Sequence, residues 1–478
     1  MSEEIKWWIC NYLTISLQTV LNGWSWKQQV LIYNLSKKHF KLIVAQEKLL
    51  MNSINKTDFK LTRDKILKNI LLFLGSFFLG CSVKVEPSSK TLLSDENIQI
   101  DNKTFELTPF KPKVVNKTSS IPTFAHFMPW FESKEISEHW GSHWTMANRN
   151  PDIIDSNGKR QIASHFYPII GPYDSGDSDY LEYALLCIKL TGFDGVFINY
   201  YGNTDLYDYV ANLENTLAII EIVKKVGLHY SLVYEDKTAT EGAINNVGST
   251  FELVKLHFQY MKEHFFDEEA YVKYQKKPLL LIFGPQSDLN KEQWDTLIGD
   301  SINLVGLEHE IRRLGFEEDM NGVFVWDTTE KVKEIYNNCE IYHICIGSAM
   351  PGFKDYYQEG GWGETLPAID SKNGQHLKDM LTLASQMKID YLQIPTWNDW
   401  GEGTMIEPSL EFGYQRLEIL QEWFGVPYNS DELKLTVLLY QKRKEYKGKT
   451  YENQILDQVF YYLVSLQIDK ANALLKKL

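Results

Sequence analysis

Short apolar runs alternate with amphipathic stretches from Thr123 onward. The runs have the length of buried strands, and the stretches between them repeat apolar residues at the three- and four-residue spacing of helices. Eight strands alternating with helices over about 300 residues predict an α/β protein with a (β/α)8 barrel. The fifth run is the weakest, so a barrel with an irregular middle fits the pattern equally well. The predicted strands are 124–130, 195–200, 228–234, 278–283, 302–307, 322–326, 341–347 and 391–396.

The predicted helices have recognisable ends. The clearest one begins at an N-cap candidate, Asp177 or Ser178, and stops before Gly192, as capped helices do. The alternation of strands and helices stops at residues 426–478. Two or three helical stretches follow Ser430, another candidate cap, with no strand between them. We expect this helical C-terminal extension to pack on the outside of the barrel.

Residues 51–81 have the layout of a secretory signal. Basic residues precede a short apolar run from Ile70 to Leu79, and Gly80 stands directly before Cys81. The run is too short to span a bilayer, which needs about 20 apolar residues. Its end resembles a bacterial lipobox, which implies that Cys81 is lipidated and anchors the protein in the cell envelope, at the outer membrane or a periplasm-facing membrane of a bacterium. A buried helix is the alternative, and the polar sequence after Cys81 disfavours it.

A secretory signal is expected at the start of a protein, yet residues 1–50 precede this one. We therefore interpret Met51 as close to the true start and residues 1–50 as upstream sequence translated in error. A genuine helical extension is the alternative. Residues 82–118 are polar and are predicted to be a tether to the barrel domain, which we place at 119–425.

Composition and charge narrow the function. The chain contains 13 Trp, 27 Tyr and 24 Phe, which suits a carbohydrate groove, although a packed core would also use many of them. The net charge of −14 argues against nucleic acid, which requires basic patches, and favours a neutral glycan over a polyanionic one. Five cysteines show no metal spacing and no CxxC. Cys187 and Cys345 are predicted core residues, and no disulfide is expected.

The segment Trp397–Thr404 (WNDWGEGT) carries the strongest chemical signal. It follows a predicted strand and sets Asp399 and Glu402 three residues apart between two indole rings. Cleavage of a sugar–sugar bond requires one carboxyl to protonate the departing oxygen, and another to take a proton from the nucleophile. An aromatic face must hold the sugar ring. The alternative is a solvated turn, which two tryptophans disfavour because large apolar rings are seldom exposed without a ligand or core to face.

The same segment resembles the catalytic motif of glycoside hydrolase families 71 and 99. Family 71 α-1,3-glucanases carry a WND-aromatic-GE sequence there, and Asp399 and Glu402 fall on its two acids. Family 99 endo-α-mannosidases and mannanases have Glu in place of the first acid and His at the position of Gly401. Their motif continues with G-T-x-I-E-P, and Gly403–Pro408 of this chain (GTMIEP) fits that pattern. The chain is therefore similar to bacterial proteins described as family 71/99-like, over about residues 120–425. The resemblance implies a glycoside hydrolase that needs no metal or other cofactor and cleaves α-linked hexoses.

Residues that follow the predicted strands are the candidate walls of the site, because the active site of a (β/α)8 barrel lies at the carboxyl ends of its strands. Nearly every such end presents an aromatic ring with a polar group, which is the composition of a sugar-binding cleft. Any one of them alone could be core packing or a capped turn. For Glu235, a third acid, a salt bridge with Lys237 is an equally good explanation. The candidates for substrate binding are His126, Trp130, Trp140, His143, Trp144, Asn199, Tyr200, Tyr201, Tyr234, Glu235, Trp326, Trp397, Asn398 and Trp400.

Histidines raise the question of a metal site. Their spacing fits no zinc pattern, so no metal is expected. Instead, we expect His126 and His143 to donate hydrogen bonds to sugar hydroxyls.

Two mechanisms are open for the acid pair. In an inverting reaction Glu402 protonates the leaving oxygen and Asp399 activates water, with the carboxyls roughly 6.5–9.5 Å apart. In the family 99 route the first acid deprotonates the 2-hydroxyl of the sugar, with net retention, and an Asp reaches less far than the Glu used there. We favour inversion. A glycan-binding surface lipoprotein without activity is the alternative from another class, and the presence of both acids speaks against it.

Overall fold

The computed structural model of the protein describes residues 105–316, 320–326 and 329–478. The predicted extension, signal, lipidation site at Cys81 and first part of the tether lie outside the described residues and remain predictions.

The described chain contains nine strands. In order they are β1 Thr123–Phe127, β2 Gly195–Tyr200, β3 His229–Tyr234, β4 Lys273–Tyr274, β5 Lys277–Ile282, β6 Asn303–Leu307, β7 Gly322–Phe324, β8 Ile344–Ser348 and β9 Tyr391–Ile394.

Helices follow most strands, and four stand near the carboxyl end of the chain. In order they are α1 Ser142–Thr145, α2 Ser178–Thr191, α3 Tyr209–Val226, α4 Lys237–Ile244, α5 Thr250–His264, α6 Lys291–Ile298, α7 Glu308–Leu314, α8 Thr329–Asn337, α9 Tyr357–Gly360, α10 Gln375–Ser385, α11 Gln415–Phe424, α12 Ser430–Glu445, α13 Thr450–Val464 and α14 Ile468–Leu475. Two 3₁₀ turns, Cys339–Ile341 and Lys372–Gly374, complete the elements.

Eight of the strands form a closed parallel barrel. Neighbours pair in the order β3, β2, β1, β9, β8, β7, β6, β5, and β3 pairs in turn with β5 to close the circle. The two-residue strand β4 pairs antiparallel with β5 outside this circle. The predicted (β/α)8 barrel is confirmed, and its weakest strand is present as β6, which pairs parallel with both neighbours.

Side chains alternate along each strand between the barrel interior and the surrounding helices. On β5, Leu279 and Leu281 belong to the interior core cluster, whereas Leu280 and Ile282 belong to the larger core cluster under the helices. Two residues after the last interior core residue of a strand, the next inward-facing side chain lies at the mouth of the barrel. The residues that arrive there in this way are His126, Asn199, Glu235, Phe283, Trp326 and Gln393.

The helix ends follow local sequence. Asp177 caps α2, as predicted, by accepting the N–H of Asp179 at 3.0 Å. Gly192 ends α2 at φ 112°, a left-handed conformation that glycine adopts without strain. The predicted cap Ser430 is one residue late, because Asn429 caps α12 in a reciprocal pair with Glu432.

The C-terminal helices pack on α2, on the outside of the barrel. Arg443 of α12 donates from Nε and Nη2 to the two carboxylate oxygens of Glu182 on α2, at 3.1 and 3.2 Å. Thr436 of α12 also contacts the buried thiol of Cys187, 2.9 Å away. The predicted core position of Cys187 agrees with its complete burial.

The described part of the predicted tether, residues 105–118, is bound to the domain. The amide of Thr108 donates to Oε1 of Gln458 at 2.7 Å. The amide of Thr118 donates to the carbonyl oxygen of Phe424 at 2.8 Å. This segment therefore connects α13 with α11.

Two further features concern cysteines and membranes. Cys339 and Cys345 form a disulfide, with Cα atoms 5.6 Å apart, where the sequence suggested none. The pairing is possible because the 3₁₀ turn at Cys339 folds back toward β8. Within the part of the chain that the structure describes, no helix has the length and apolar character needed to cross a membrane.

Candidate active site

A cavity of about 260 Å³ lies at the carboxyl ends of the barrel strands. Interior-facing residues of the strands form its floor, and the loops after β1, β2, β8 and β9 form its walls. It brings together nine of the residues that the sequence singles out: His126, Trp130, His143, Asn199, Tyr201, Glu235, Trp326, Asp399 and Glu402.

Asp399 and Glu402 both line this cavity, and the turn after β9 holds them. The main-chain N–H of Glu402 donates to Oδ1 of Asp399 at 3.0 Å. The N–H of Asp399 donates to Oγ1 of Thr396 at 2.7 Å. The two acids are thus set by backbone hydrogen bonds within one turn, and only 6% of Asp399 is exposed.

The two carboxyls differ in their affinity for a proton. Burial raises the pKa of Asp399, while the backbone amides of Glu402 and Gly401 donate to its carboxylate and favour the charged form. Burial also raises the pKa of Glu402, and the negative charge of Asp399 raises it further. Asp399 therefore ionises first, and Glu402 keeps its proton to higher pH. Two carboxyls whose pKa values are pushed apart can act as base and acid in one reaction.

Tyr357, which the sequence did not single out, contacts Glu402 directly. Its hydroxyl donates to Oε1 of Glu402 at 2.8 Å, whereas Oε2 has no hydrogen-bond partner among the described residues. The amide of Lys354 donates to the carbonyl oxygen of Glu402 at 2.9 Å, and that of Tyr356 to the carbonyl oxygen of Gly401 at 2.8 Å. The loop after β8 therefore clamps the acid turn and leaves one oxygen of Glu402 uncommitted.

The indole rings of Trp397 and Trp400 are fully buried, so the prediction that they lie against a sugar is wrong. Nε1 of Trp397 donates to the hydroxyl of Tyr180 at 3.2 Å. Nε1 of Trp400 donates to the hydroxyl of Tyr173 at 3.0 Å. The rings anchor the buried side of the acid turn, while the carboxyls next to them face the cavity.

Asn398 is also buried and holds backbone, although the sequence suggested a ligand contact. Its Oδ1 accepts the N–H of Met128 at 2.8 Å, and its Nδ2 donates to the carbonyl oxygen of Met128 at 2.9 Å. This reciprocal pair joins the acid turn to the loop after β1.

A third buried acid, Glu407, lies on the same buried side of the turn. Its Oε2 accepts from the hydroxyl of Tyr173 at 2.7 Å and from Nε1 of Trp400 at 3.2 Å. Burial raises the pKa of Glu407 to about 8, so this carboxyl is mostly neutral at pH 7. Glu407, Tyr173 and Trp400 form a hydrogen-bonded network on the buried side of the acid turn, in which only Oε2 of the Glu407 carboxyl takes part.

Tyr200 and Tyr234 do not reach the cavity, contrary to prediction. Each is one residue out of step with the interior-facing residue of its strand, so alternation directs both rings toward the helices. The hydroxyl of Tyr234 is hydrogen bonded to Nδ1 of His257 on α5, 2.7 Å away. Tyr200 packs edge-on against Phe265, with ring centroids 5.9 Å apart.

Two tryptophans of the loop after β1 are also misplaced by the prediction. Trp144 is fully buried and donates from Nε1 to the carbonyl oxygen of Tyr173 at 2.8 Å. Trp140 lies outside the cavity, where its Nε1 donates to Oδ1 of Asp152 at 2.9 Å. The guanidinium of Arg160 lies 5.3 Å from the Trp140 ring centroid. Trp144 supports the loop from below, and Trp140 ties its outer edge.

His126 lines the cavity in the opposite hydrogen-bonding role from the predicted one. Gln393 donates from Nε2 to the carbonyl oxygen of Val325 at 2.7 Å, so its Oε1 accepts from Nδ1 of His126, 3.3 Å away. Nε2 of His126 is then the acceptor nitrogen, and it has no partner among the described residues. Burial lowers the pKa of His126 to about 4, which keeps the ring neutral. His126 is therefore set to accept a hydrogen bond.

An aromatic wall stands opposite these polar groups. His143 lies parallel to Trp130, with ring centroids 4.1 Å apart, and Trp362 meets His143 edge-on at 5.4 Å. Burial lowers the pKa of His143 to about 3, so this ring is also neutral. Trp362 is 44% exposed and forms the outer part of this wall.

Glu235 and Asn199 stand side by side on the floor of the cavity. Nδ2 of Asn199 donates to Oε1 of Glu235 at 3.2 Å. Burial raises the pKa of Glu235 to about 7. The cavity thus contains a third carboxyl, paired with an amide in the arrangement that recognises hydroxyl groups.

Seven residues that line the cavity are not among the site residues predicted from the sequence. Phe283 could have been predicted, because it stands two residues after the interior-facing Leu281. Gly401 belongs to the acid turn that the sequence singled out, and the others lie in loops whose course local sequence does not reveal. The missed residues are Met128, Phe131, Met146, Phe283, Tyr357, Trp362 and Gly401.

Across residues 105–316, 320–326 and 329–478, no group of three or more His, Cys, Asp or Glu side chains is arranged to hold a metal ion.

The barrel and its acid-lined cavity have the features of a glycoside hydrolase. No protein-family model matches the chain. The chain is 22% identical over 324 residues to the human (Homo sapiens) glycoprotein endo-alpha-1,2-mannosidase-like protein, covering 60% of this chain and 68% of that protein. It is 23% identical over 316 residues to a protein of the same description from Danio rerio, covering 59% of this chain and 69% of that protein.

Among solved structures, the chain is similar to the GH99 endo-alpha-mannosidase from Bacteroides thetaiotaomicron. The TM-score is 0.50 at 19% identity, covering 66% of this chain and 98% of that chain. This likeness supports the barrel fold. The relatives agree with the family 99 side of the predicted resemblance, and the relation to family 71 stays a prediction.

Proposed function

We propose that the protein hydrolyses α-linked hexose oligosaccharides with Asp399 and Glu402 as the catalytic pair. The observation that carries the proposal is the presence, at one cavity, of a buried carboxyl and a half-buried carboxyl with unequal affinity for a proton. Cleavage of a glycosidic bond needs one protonated and one ionised carboxyl at the same time.

Glu402 is assigned as general acid and Asp399 as general base. The backbone amides that donate to Asp399 stabilise its carboxylate, which suits a group that must accept a proton. Glu402 holds its proton through burial and the adjacent charge, and its Oε2 is uncommitted. A proton on that oxygen can therefore pass to the leaving group.

The names of the relatives favour an α-mannoside as substrate, and an α-glucan is the second choice. The net charge of −14 favours a neutral glycan. Nε2 of His126 and the Asn199–Glu235 pair supply hydrogen-bonding groups for sugar hydroxyls. The ring of Trp362 offers an apolar face for a pyranose.

Inversion of configuration is the expected outcome, with Asp399 activating water. The alternative route, in which Asp399 deprotonates the 2-hydroxyl of the sugar, gives retention. Product anomers read by NMR immediately after cleavage separate the two routes. Both outcomes keep Asp399 and Glu402 in the reaction.

The acid pair gives the first prediction. Asp399→Asn and Glu402→Gln should each lower kcat by at least about 100-fold, because each removes a proton-transfer group without changing its shape much. Rates are to be measured on α-manno- and α-gluco-oligosaccharides, with folding checked by thermal unfolding. The matched control is Glu411→Gln, an exposed acid in the loop that follows the acid turn. Near-normal turnover in both acid variants would remove this pair from the mechanism.

A panel of glycans tests the substrate. Release of sugar from α-mannans or α-glucans supports the proposal. Release from β-linked or acidic glycans alone would show that the substrate assignment is wrong while leaving the hydrolase class intact.

A further inference from the structure

We propose that Tyr207 forms an outer sugar-binding subsite at the rim of the cavity, so that the protein binds an oligosaccharide longer than the cavity holds. The proposal rests on the proposed function and extends it by naming where the far end of the substrate lies. The occupant is a neutral hexose ring of the same chain that enters the cavity.

The position of Tyr207 follows from the loop that carries it. Residues 201–208 connect β2 with α3 and therefore lie at the carboxyl face of the barrel. Tyr201, at the start of the loop, lines the cavity. Asp208, at its end, has Oδ2 3.9 Å from Nε2 of His143, another cavity residue. Both ends of the loop meet the cavity, so Tyr207, which is 69% exposed, stands at its rim.

The ring of Tyr207 is held in place although it is exposed. Its backbone has φ 48°, a left-handed conformation that bulky residues rarely adopt. Its hydroxyl accepts from Nδ2 of Asn245 at 3.2 Å, and Asn245 belongs to the loop after α4. Strained and fixed residues of this kind cluster at ligand sites. Ile244 and Val247, on either side of Asn245 in the chain, are 67% and 48% exposed and add apolar surface.

A continuous series of rings links Tyr207 to the cavity wall. Trp130 and Tyr201 have centroids 6.2 Å apart, Tyr201 and Tyr209 5.2 Å, and Tyr209 and Tyr207 5.7 Å. Tyr209 is only 7% exposed and supports the two outer rings from below. The half-buried Tyr201 of the cavity and the exposed Tyr207 are therefore separated by two ring contacts, which is within the reach of a short oligosaccharide.

The chemistry of the rim selects a neutral sugar. A pyranose presents an apolar face of C–H groups that stacks on an aromatic ring, with hydroxyls at its edge for hydrogen bonds. Asn245, held beside the ring, can supply one of them. The net charge of −14 disfavours an anionic occupant.

The test compares substrates of increasing length. The probes are α-manno-oligosaccharides from the disaccharide to the hexasaccharide, with α-gluco-oligosaccharides of the same lengths. Tyr207→Ala should lower the ratio of kcat/KM for long over short substrates by about 3–10-fold, mainly through KM, since one stacking contact is lost. Tyr207→Phe, which retains the ring, should restore most of the ratio.

A matched control is available on the opposite side of the barrel. Ile341, 70% exposed, precedes β8 and so lies at the amino end of the strands. Ile341→Ala should leave the length ratio unchanged. A length ratio in Tyr207→Ala equal to that of the wild type would overturn the subsite while the hydrolase proposal stands. If the wild type cleaves neither series, calorimetric binding of the same probes decides: no binding to the wild type overturns both proposals, and equal binding by Tyr207→Ala overturns the subsite.

Discussion

At the scale of single residues, the surroundings of each carboxyl decide which acid accepts a proton and which one donates a proton. Asp399 accepts backbone N–H groups and is set to be charged, whereas Glu402 is desolvated beside that charge and is set to be neutral. The functional group does not separate these roles, because both side chains end in a carboxyl. The difference comes from the backbone amides of the turn, which stabilise the charge of Asp399, and from burial and that charge, which raise the pKa of Glu402.

Tyr357 gives a prediction about pH. Its hydroxyl stabilises the charged form of Glu402, so its removal in Tyr357→Phe should raise the pKa of Glu402 further. The alkaline limb of the kcat/KM profile, where the acid loses its proton, should move to higher pH. The control is Tyr356→Phe, because the Tyr356 hydroxyl is bonded to Arg149 and has no contact with the acids. An alkaline limb that stays in place or moves down in Tyr357→Phe would contradict this assignment.

Glu407 gives a prediction about stability. Its pKa is about 8 in the folded protein and about 4.3 in an unfolded chain. The stabilising effect of the neutral form is therefore fully present below about pH 4.3 and is lost as pH rises toward 8. Glu407→Gln cannot ionise, so its Tm relative to the wild type should rise by about 2 °C or more between pH 5 and pH 8.

The control for this measurement is Glu418→Gln, an exposed carboxyl on α11. Its Tm relative to the wild type should show no such trend. The same trend in both variants would remove Glu407 as the cause.

At the scale of elements, alternation along the strands explains which predicted site residues were right. His126 and Asn199 share the interior face with Phe124 and Phe197, and both reach the cavity. Tyr200 is one residue out of step and points to the helices. This distinction was available from the sequence, because it needs only the period of two and one known interior residue on each strand.

The loops limited what the sequence could reveal. The barrel follows from periodicity, and the acid pair from its motif and position after β9. Tyr357 and Trp362 belong to the long loop after β8, whose path depends on contacts with residues far away in sequence, such as the N–H of Ala147 on the carbonyl oxygen of Gly360. The burial of Trp397 and Trp400 likewise depends on the hydroxyls of Tyr180 and Tyr173. No local pattern encodes such pairings.

The cap of α12 gives a prediction at this scale. Asn429→Ala should lower the free energy of unfolding by about 1 kcal/mol, because it removes the side chain that accepts the N–H groups at the start of the helix. Ser430→Ala, at the residue first expected to be the cap, should cost much less. Urea unfolding of both variants distinguishes the two positions. Equal losses would show that the cap is not decisive for this helix.

At the scale of the whole molecule, the two ends of the described chain hold each other. The amide of Lys113 donates to the carbonyl oxygen of Val464 at 3.2 Å, and the amide of Phe105 to Oε1 of Gln454 at 3.0 Å. The helices after residue 425 therefore cover the outside of α2 and also fix the segment that enters the barrel. They belong to the stability of the domain, away from the cavity.

The anchoring of the molecule remains a prediction from residues 51–81. If Cys81 is lipidated, the mature protein should partition with membranes and lack residues 1–80, and Cys81→Ala should change its processing. Mass spectrometry of protein from a bacterial host checks the amino terminus. A soluble protein with residues 1–80 intact would show that the lipobox interpretation is wrong.

Seven of the tryptophans in the described residues fall into two groups with different access to water. Trp130, Trp326 and Trp362 line the cavity, whereas Trp144, Trp294, Trp397 and Trp400 are among the largest fully buried side chains. A sugar seated in the cavity would remove water from the first group and leave the second unchanged. Binding should therefore shift the intrinsic fluorescence to shorter wavelength and shield Trp362 from acrylamide quenching. The protein contains its own optical reporter of occupancy, which needs neither an attached dye nor turnover of the substrate.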